Sequence, residues 1–437
     1  MAHILIAVTP APGHVNPLLT IARHMQACGH QVIFNTAEVF RTEVERTGIE
    51  FIPFEGKCNL DFRQMDEIFP ERNRCAAGPE QLNFDMKYIF ADAIPDQHRG
   101  LQRILREREI DLIFTDLLFC GTLPILLTTA KEHRPPVVSF GICPMFLSSV
   151  DTSPFSPPDS SPAGRERNRL ETMQMEAMLG AANDHFDAVL EDCGAPSLPR
   201  FFFDCLYTLP DLFLQLTAEE FEFPRSDMPD SIRFVGPMPL PASRFDPPDW
   251  WAELDGSKPV VLVTQGTIAN SDLSDLIEPT LLGLAKEEVT VVAATGKAGG
   301  VSISVPGNAK VAQFIPFDQL LPKVRVLVSN GGYGGVNSAL AAGIPVVVGG
   351  ETEDKPMVAA RVAWSGTGVN LGTSRPTPEQ VRNAVRTALS SESIQQNVRR
   401  IQEGFAECDA LNEIAGVVDS LMRNRFEASL ACSSAAD

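Results

Sequence analysis

The chain has 437 residues, 44% hydrophobic and 21% charged, a globular composition long enough for about two domains. Its formal charge of −20 repels nucleic acid and anionic membrane surfaces, so neither is an expected partner. The nine cysteines are scattered, with no C-x-x-C pair and no zinc-like companion histidines, so they read as reduced thiols and not as metal ligands.

In chain order, Ile4-Leu5-Ile6-Ala7-Val8 is a continuous apolar run of the kind that a parallel sheet covers on both faces. A strand this early leaves no room for a leader, and no apolar run approaches the roughly 20 residues of a membrane span. A cytoplasmic protein is expected. Asn16 reads as an N-cap and Pro17 as the first helical residue, with Leu18, Ile21, Ala22 and Met25 on one face and Gly29 ending the helix. Strands are predicted at 31–35, 49–54, 112–115, 137–140 and 212–216, with helices such as 40–47 between them. Two irregular tracts, 55–79 and 141–164, interrupt this half; loops of that length either line a pocket or are surface insertions.

The proline-rich segment GPMPLPASRFDPPDWWAELDG then disfavours any regular element and reads as a linker. Beyond it alternation resumes, with strands predicted at 260–264, 289–294, 311–314, 326–328 and 346–348. The fold class is α/β: two doubly wound Rossmann-like domains facing a cleft. The expected division is 1–236, a linker at 237–256, 257–405, and a helix and tail at 406–437, the helix free to pack back on the N-terminal half. Ligands of such sheets bind beyond the carboxyl ends of the strands, which places the default site in the cleft.

Two features carry chemistry. The first is VLVSNGGYGGVNSALAAGIPVVVGGETEDKP, read as strand, glycine-rich turn, helix 336–342 stopped by Gly343, strand and acidic loop. Glycines let a phosphate approach the backbone, and the unpaired N–H groups opening a helix attract it, so a diphosphate is the natural ligand. A plain tight turn uses the same residues. The second is His14, in the turn after the first strand, with Asp116 ending the strand at 112–115. A carboxylate on one imidazole nitrogen holds the tautomer whose other nitrogen accepts a proton. Taken singly, each also suits a capping or packing role.

His14 in PGHVNP, Asp116 after an apolar strand and the glycine-rich segment together resemble the UDP-dependent glycosyltransferases of the two-domain GT-B fold, the bacterial natural-product and macrolide members above all. The resemblance implies that the N-terminal half binds the acceptor and the C-terminal half the nucleotide sugar. It makes His14 the base that deprotonates an acceptor hydroxyl and Asp116 its partner, with inversion at the anomeric carbon. For the donor it implies Phe314 and Pro316 beside the nucleotide base, Gly266, Thr267, Gly332, Gly334 and Gly335 at the phosphates, and Asp354 at the sugar. The sequence departs from the family at Phe314, where tryptophan is usual, at Asn330 in place of the phosphate histidine, and at Ser338 in place of the ribose acid. Lys355 replaces the glutamine of the sugar-binding pair, and either favours an unusual sugar or pairs with Glu351 or Glu353.

The chain has 26 phenylalanines against three tyrosines and three tryptophans. Phe62, Phe84, Phe119, Phe140 and Phe146 are candidates for the wall of an apolar acceptor pocket, though each also suits ordinary core packing. The expected activity is an inverting, metal-independent transfer from a UDP- or dTDP-linked sugar to a hydroxyl of a small hydrophobic natural product, the nucleotide sugar being a co-substrate and no cofactor being required. A catalytically silent binding module is the alternative. A nicotinamide-dependent oxidoreductase is disfavoured because the first turn lacks G-x-G-x-x-G. The oligomeric state is left open.

Overall fold

The computed structural model describes residues 1–76, 78–154, 156–266, 272–296 and 303–434. Two sheets, with every strand pair parallel, build the molecule. The N-terminal sheet holds β1 (His3–Ala7), β2 (Gln31–Thr36), β3 (Glu50–Pro53), β4 (Leu112–Asp116), β5 (Val137–Gly141), β6 (Leu212–Gln215) and β7 (Ile232–Phe234). Its order is β3-β2-β1-β4-β5-β6-β7. The C-terminal sheet holds β8 (Val260–Thr264), β9 (Thr290–Ala294), β10 (Ala309–Ala312), β11 (Val324–Ser329), β12 (Val346–Val348) and β13 (Gly368–Asn370), in the order β10-β9-β8-β11-β12-β13. Burial of β1, β4, β5 and β8 on both faces explains their unbroken apolar sequence. Among the described residues, no helix is long and apolar enough to cross a membrane.

Several details depart from the sequence reading. The first long helix runs Pro12–Ala27, so Pro12 rather than Pro17 occupies the first turn, and Asn16 is not the cap. Pro17 lies inside, near enough to the start that its missing N–H costs a single early bond. The earlier start puts His14 into the helix's opening turn. In the other half β10 ends at Ala312, so Phe314 lies past the strand. Two three-residue edge strands, β7 and β13, complete the sheets.

The helix Ala410–Ser434 follows the C-terminal sheet in sequence but packs on the N-terminal one. Ala410, Ile414, Val417 and Val418 share a core with Val15, Leu18, Ile21 and Ala22 of the first helix. The proline-rich stretch is not detached either, since Phe245, Trp250 and Trp251 pack against the C-terminal core.

Candidate active site

Neighbouring strands bring the two residues of the proposed dyad together. β1 and β4 pair with Ala7 opposite Thr115, so the chain leaves both strands at one sheet edge. There His14 Nδ1 lies 2.7 Å from Asp116 Oδ1 although 102 residues separate them. Asp116 is fixed from other sides as well: its Oδ2 accepts from the Thr9 N–H at 2.6 Å and its Oδ1 from the Leu118 N–H at 3.0 Å. The Asp116 side chain is fully buried, whereas His14 keeps 16% exposure. The carboxylate places the proton on Nδ1 and leaves Nε2 as the basic nitrogen.

The glycine turn follows β11. Gly331 has φ 93°, in the left-handed region, and Gly332 caps the helix Tyr333–Ala341. Beyond its chain neighbours and the helix's own backbone, no protein atom lies within 4 Å of a Cβ built on Gly334. Its backbone conformation is not left-handed, so neither packing nor strain within the protein demands glycine there. Across the adjacent strand β8, Gly266 makes a second left-handed turn at φ 74°, and Asn330 Nδ2 donates to the Gln265 carbonyl at 2.5 Å, tying the two turns together. Thr267 lies outside the described residues. Ser338 Oγ donates back to the Gly334 carbonyl at 2.9 Å. Phe314 is 61% exposed beyond β10, and Pro316 caps the short helix Phe317–Leu320.

Asp354 and Lys355 open the helix Lys355–Ser365. Desolvation pushes the Asp354 carboxyl up to about 6, Glu353 adds to that, and the positive charges of Lys355 and a protonated His14 oppose it. Lys355 is buried and ion-paired with Glu353, one of the two acids anticipated for it; Glu351 instead accepts from the Ser374 N–H at 3.1 Å and from its hydroxyl at 2.8 Å. Glu353 has φ 57°, a left-handed conformation that costs a non-glycine residue about 1 kcal/mol. Among the described residues, no group of three or more His, Cys, Asp or Glu is arranged to hold a metal ion.

Of the five phenylalanines, Phe84 lines a cavity of about 530 Å³ together with Leu60, Phe69, Tyr88, Ile89 and Asp92. The irregular tract after β3 thus forms part of a pocket wall. Asp92 meets His185 Nε2 at 2.7 Å, and Tyr88 stands edge-on to the His185 ring at 5.7 Å. Phe62 packs against Phe90. Phe119, Phe140 and Phe146 are buried against Phe54, Phe114 and Phe203, so the structure places them in packed cores and not on that cavity.

Sequence reasoning missed the polar links between the halves. Gln215 Nε2 donates to the Tyr333 hydroxyl at 3.0 Å, and Thr217 Oγ1 donates to Asn337 Oδ1 at 2.6 Å. Deeper still, Arg361 Nε donates to Glu222 Oε1 at 2.6 Å, with Arg225 3.5 Å from the same oxygen and both guanidiniums on the Met145 carbonyl. Burial alone would raise the Glu222 carboxyl, yet the two guanidiniums hold it below its ordinary value. No local pattern announces the links that join the two halves, because Gln215 and Tyr333, Thr217 and Asn337, and Glu222 and Arg361 each lie more than a hundred residues apart.

Comparison with known proteins fits this geometry. A family profile described as "Erythromycin biosynthesis protein CIII-like, C-terminal domain" matches residues 280–421. The chain is 38% identical to 4'-demethylrebeccamycin synthase of Lentzea aerocolonigenes, over 96% of this chain and 100% of that one. It is 34% identical to UDP-glycosyltransferase 2 of Phaeomoniella chlamydospora, over 96% and 95% of the two chains. The solved structure of the calicheamicin glycosyltransferase CalG4 shares the fold, with a TM-score of 0.73 at 21% identity over 97% and 98% of the chains. With near-complete alignment at these identities and two Rossmann-like sheets facing a cleft, the chain belongs to the glycosyltransferases of the GT-B fold.

Proposed function

We propose that the protein transfers a sugar from a UDP- or dTDP-linked donor to a hydroxyl of a small hydrophobic acceptor, with inversion and without a metal ion. The observation that carries this reading is the His14–Asp116 pair, fixed at one sheet edge of a molecule whose other half carries the glycine turn that opens the helix Tyr333–Ala341. His14 Nε2 takes the proton of the acceptor hydroxyl as its oxygen bonds to the anomeric carbon. The bond from that carbon to the diphosphate breaks on the opposite face, and its electron pair stays on the phosphate oxygen. Asp116 stabilises the imidazolium formed.

The leaving diphosphate is met by the N–H groups opening the helix Tyr333–Ala341 and by the Gly266 turn. The open space over Gly334 supports this reading. The exposed Phe314 ring offers a stacking face for the nucleotide base. On the acceptor side, the aromatic cavity walled by Phe69, Phe84 and Tyr88 suits the apolar body of a polycyclic aglycone. The names of the two relatives, a demethylrebeccamycin synthase and a UDP-glycosyltransferase, point the same way.

The test is nucleotide release by purified protein in chelator, across UDP- and dTDP-sugars with pooled polycyclic and phenolic acceptors. His14→Ala is expected to lower turnover by about 10²–10⁴-fold while leaving UDP affinity unchanged. Equal loss of turnover and of nucleotide binding would remove His14 from the role of base. Release that requires added divalent cation would overturn the metal-independent part.

A further inference from the structure

We infer that Tyr333 is a positioning residue for the transfer step: its buried hydroxyl, held by Gln215, sets the phosphate-binding helix against the sheet edge that carries the base. The inference rests on the function proposed above.

Tyr333 is the first helical residue after the glycine turn, so its backbone N–H belongs to the candidate diphosphate site. Its ring belongs to the core of that half, but its hydroxyl reaches the other. It is 5% exposed, and its hydroxyl accepts from Gln215 Nε2 at 3.0 Å. Gln215, the last residue of β6, is itself fully buried and spends another amide hydrogen on the Cys143 carbonyl at 2.8 Å. The sheet makes room for this amide, since a Cβ on Gly141, its partner on β5, would stand 2.0 Å from Gln215 Oε1.

A second link lies one helical turn further on. Thr217 Oγ1 donates to Asn337 Oδ1 at 2.6 Å, and Asn337 Nδ2 donates to the Tyr333 carbonyl at 3.0 Å. The bracket therefore holds the helix at Tyr333 and again at Asn337, in the part that follows the glycine turn and not at its far end. β6 lies two strands from β4, which carries Asp116, with β5 between them. Leaving group and base are thus referred to one rigid sheet through directional hydrogen bonds, which fix register where apolar contact alone would allow sliding. Displacement of about 1 Å in such an arrangement is enough to cost about a hundredfold in rate.

The test compares wild type, Tyr333→Phe, Gln215→Met and the double variant. Tyr333→Phe keeps the ring and removes only the hydroxyl. Its kcat is expected to fall by about 10–100-fold. Its Kd for UDP, measured by titration, should stay within about threefold, under half a factor of ten. The pH profile should be unchanged. Gln215→Met should reproduce the loss, and the double variant should be no worse than either single one, as expected for groups acting as a unit. A structural role alone would lower the melting temperature and the active fraction but not kcat per active site. Wild-type kcat in Tyr333→Phe, additive losses, or a fall in UDP affinity that accounts for the whole effect would each overturn the inference while leaving the proposed function standing. A wild-type protein silent on every donor would overturn the function, and this inference with it.

Discussion

A carboxyl group that gives up water holds its proton longer, and Asp354 is raised to about 6 in this way against an ordinary 3.8. Between pH 4 and 6 the folded protein therefore binds a proton that the unfolded chain has released. Stability contributed at this site falls as pH rises through that window, and the penalty is complete above the folded value. Asp354→Asn removes the charge and keeps the shape. Its melting temperature should match wild type near pH 4 and exceed it increasingly up to pH 7; a gap that does not depend on pH would show that the carboxyl is not desolvated as described. The same residue pair shows how far sequence reasoning reaches. Two anionic neighbours were candidates for Lys355, and only backbone geometry selects between them: the left-handed turn at Glu353 points its carboxylate to the ammonium, while Glu351 is occupied by Ser374.

At the level of single elements, the two glycine roles within one helix separate cleanly. Gly343 has φ 75°, and its N–H and that of Ile344 return to the Leu340 and Ala339 carbonyls, a Schellman ending that the sequence position of the glycine had already implied. Gly334 has no such duty. Gly334→Ala is therefore expected to leave stability unchanged or to raise it by up to about 1 kcal/mol, since alanine is the better helix former. UDP affinity should nonetheless fall by about tenfold, or roughly 1.4 kcal/mol, because a methyl group would occupy the space of a phosphate. Paired urea melts and UDP titrations check both halves of that statement, and intact affinity would disqualify the turn as the phosphate site.

Long buried strands were legible because covering on both faces demands unbroken apolar runs. β7 and β13 were not: each is three residues long at a sheet edge, and Gly368, which opens β13, has no hydrophobic signal to give. The helix start was misplaced because two prolines compete for it, and Pro12 has no side-chain cap before it to mark the boundary. The core phenylalanines could not be told from pocket phenylalanines, because one side-chain type serves both purposes and only tertiary packing separates Phe140 from Phe84.

For the molecule as a whole, the two halves are joined by charge as well as by apolar contact. Arg361 is fully buried on one half and Glu222 and Arg225 lie buried on the other, with the Arg361 guanidinium also 4.4 Å from the centre of the Phe223 ring. Removing the anion alone would strand two guanidiniums away from water. Glu222→Gln should accordingly cost about 3–5 kcal/mol in urea unfolding. A loss below about 1 kcal/mol, the level of exposed pairs, would mean that solvent reaches this network. The composition of the chain gave no hint of it, since a charged residue read in isolation is assigned to the surface and its partner, 139 positions away for Glu222 and Arg361, is invisible to any local pattern.

The return of residues 410–418 to the first helix has a consequence for how the protein is made. During synthesis the N-terminal sheet leaves the ribosome early, but the core that Val15, Leu18 and Ile21 share with Ala410, Ile414, Val417 and Val418 stays incomplete until the whole C-terminal sheet has been translated. The first half is thus complete only when the second has emerged, and a chimera that exchanges one half for that of a relative must carry the crossing helix with the N-terminal partner it covers.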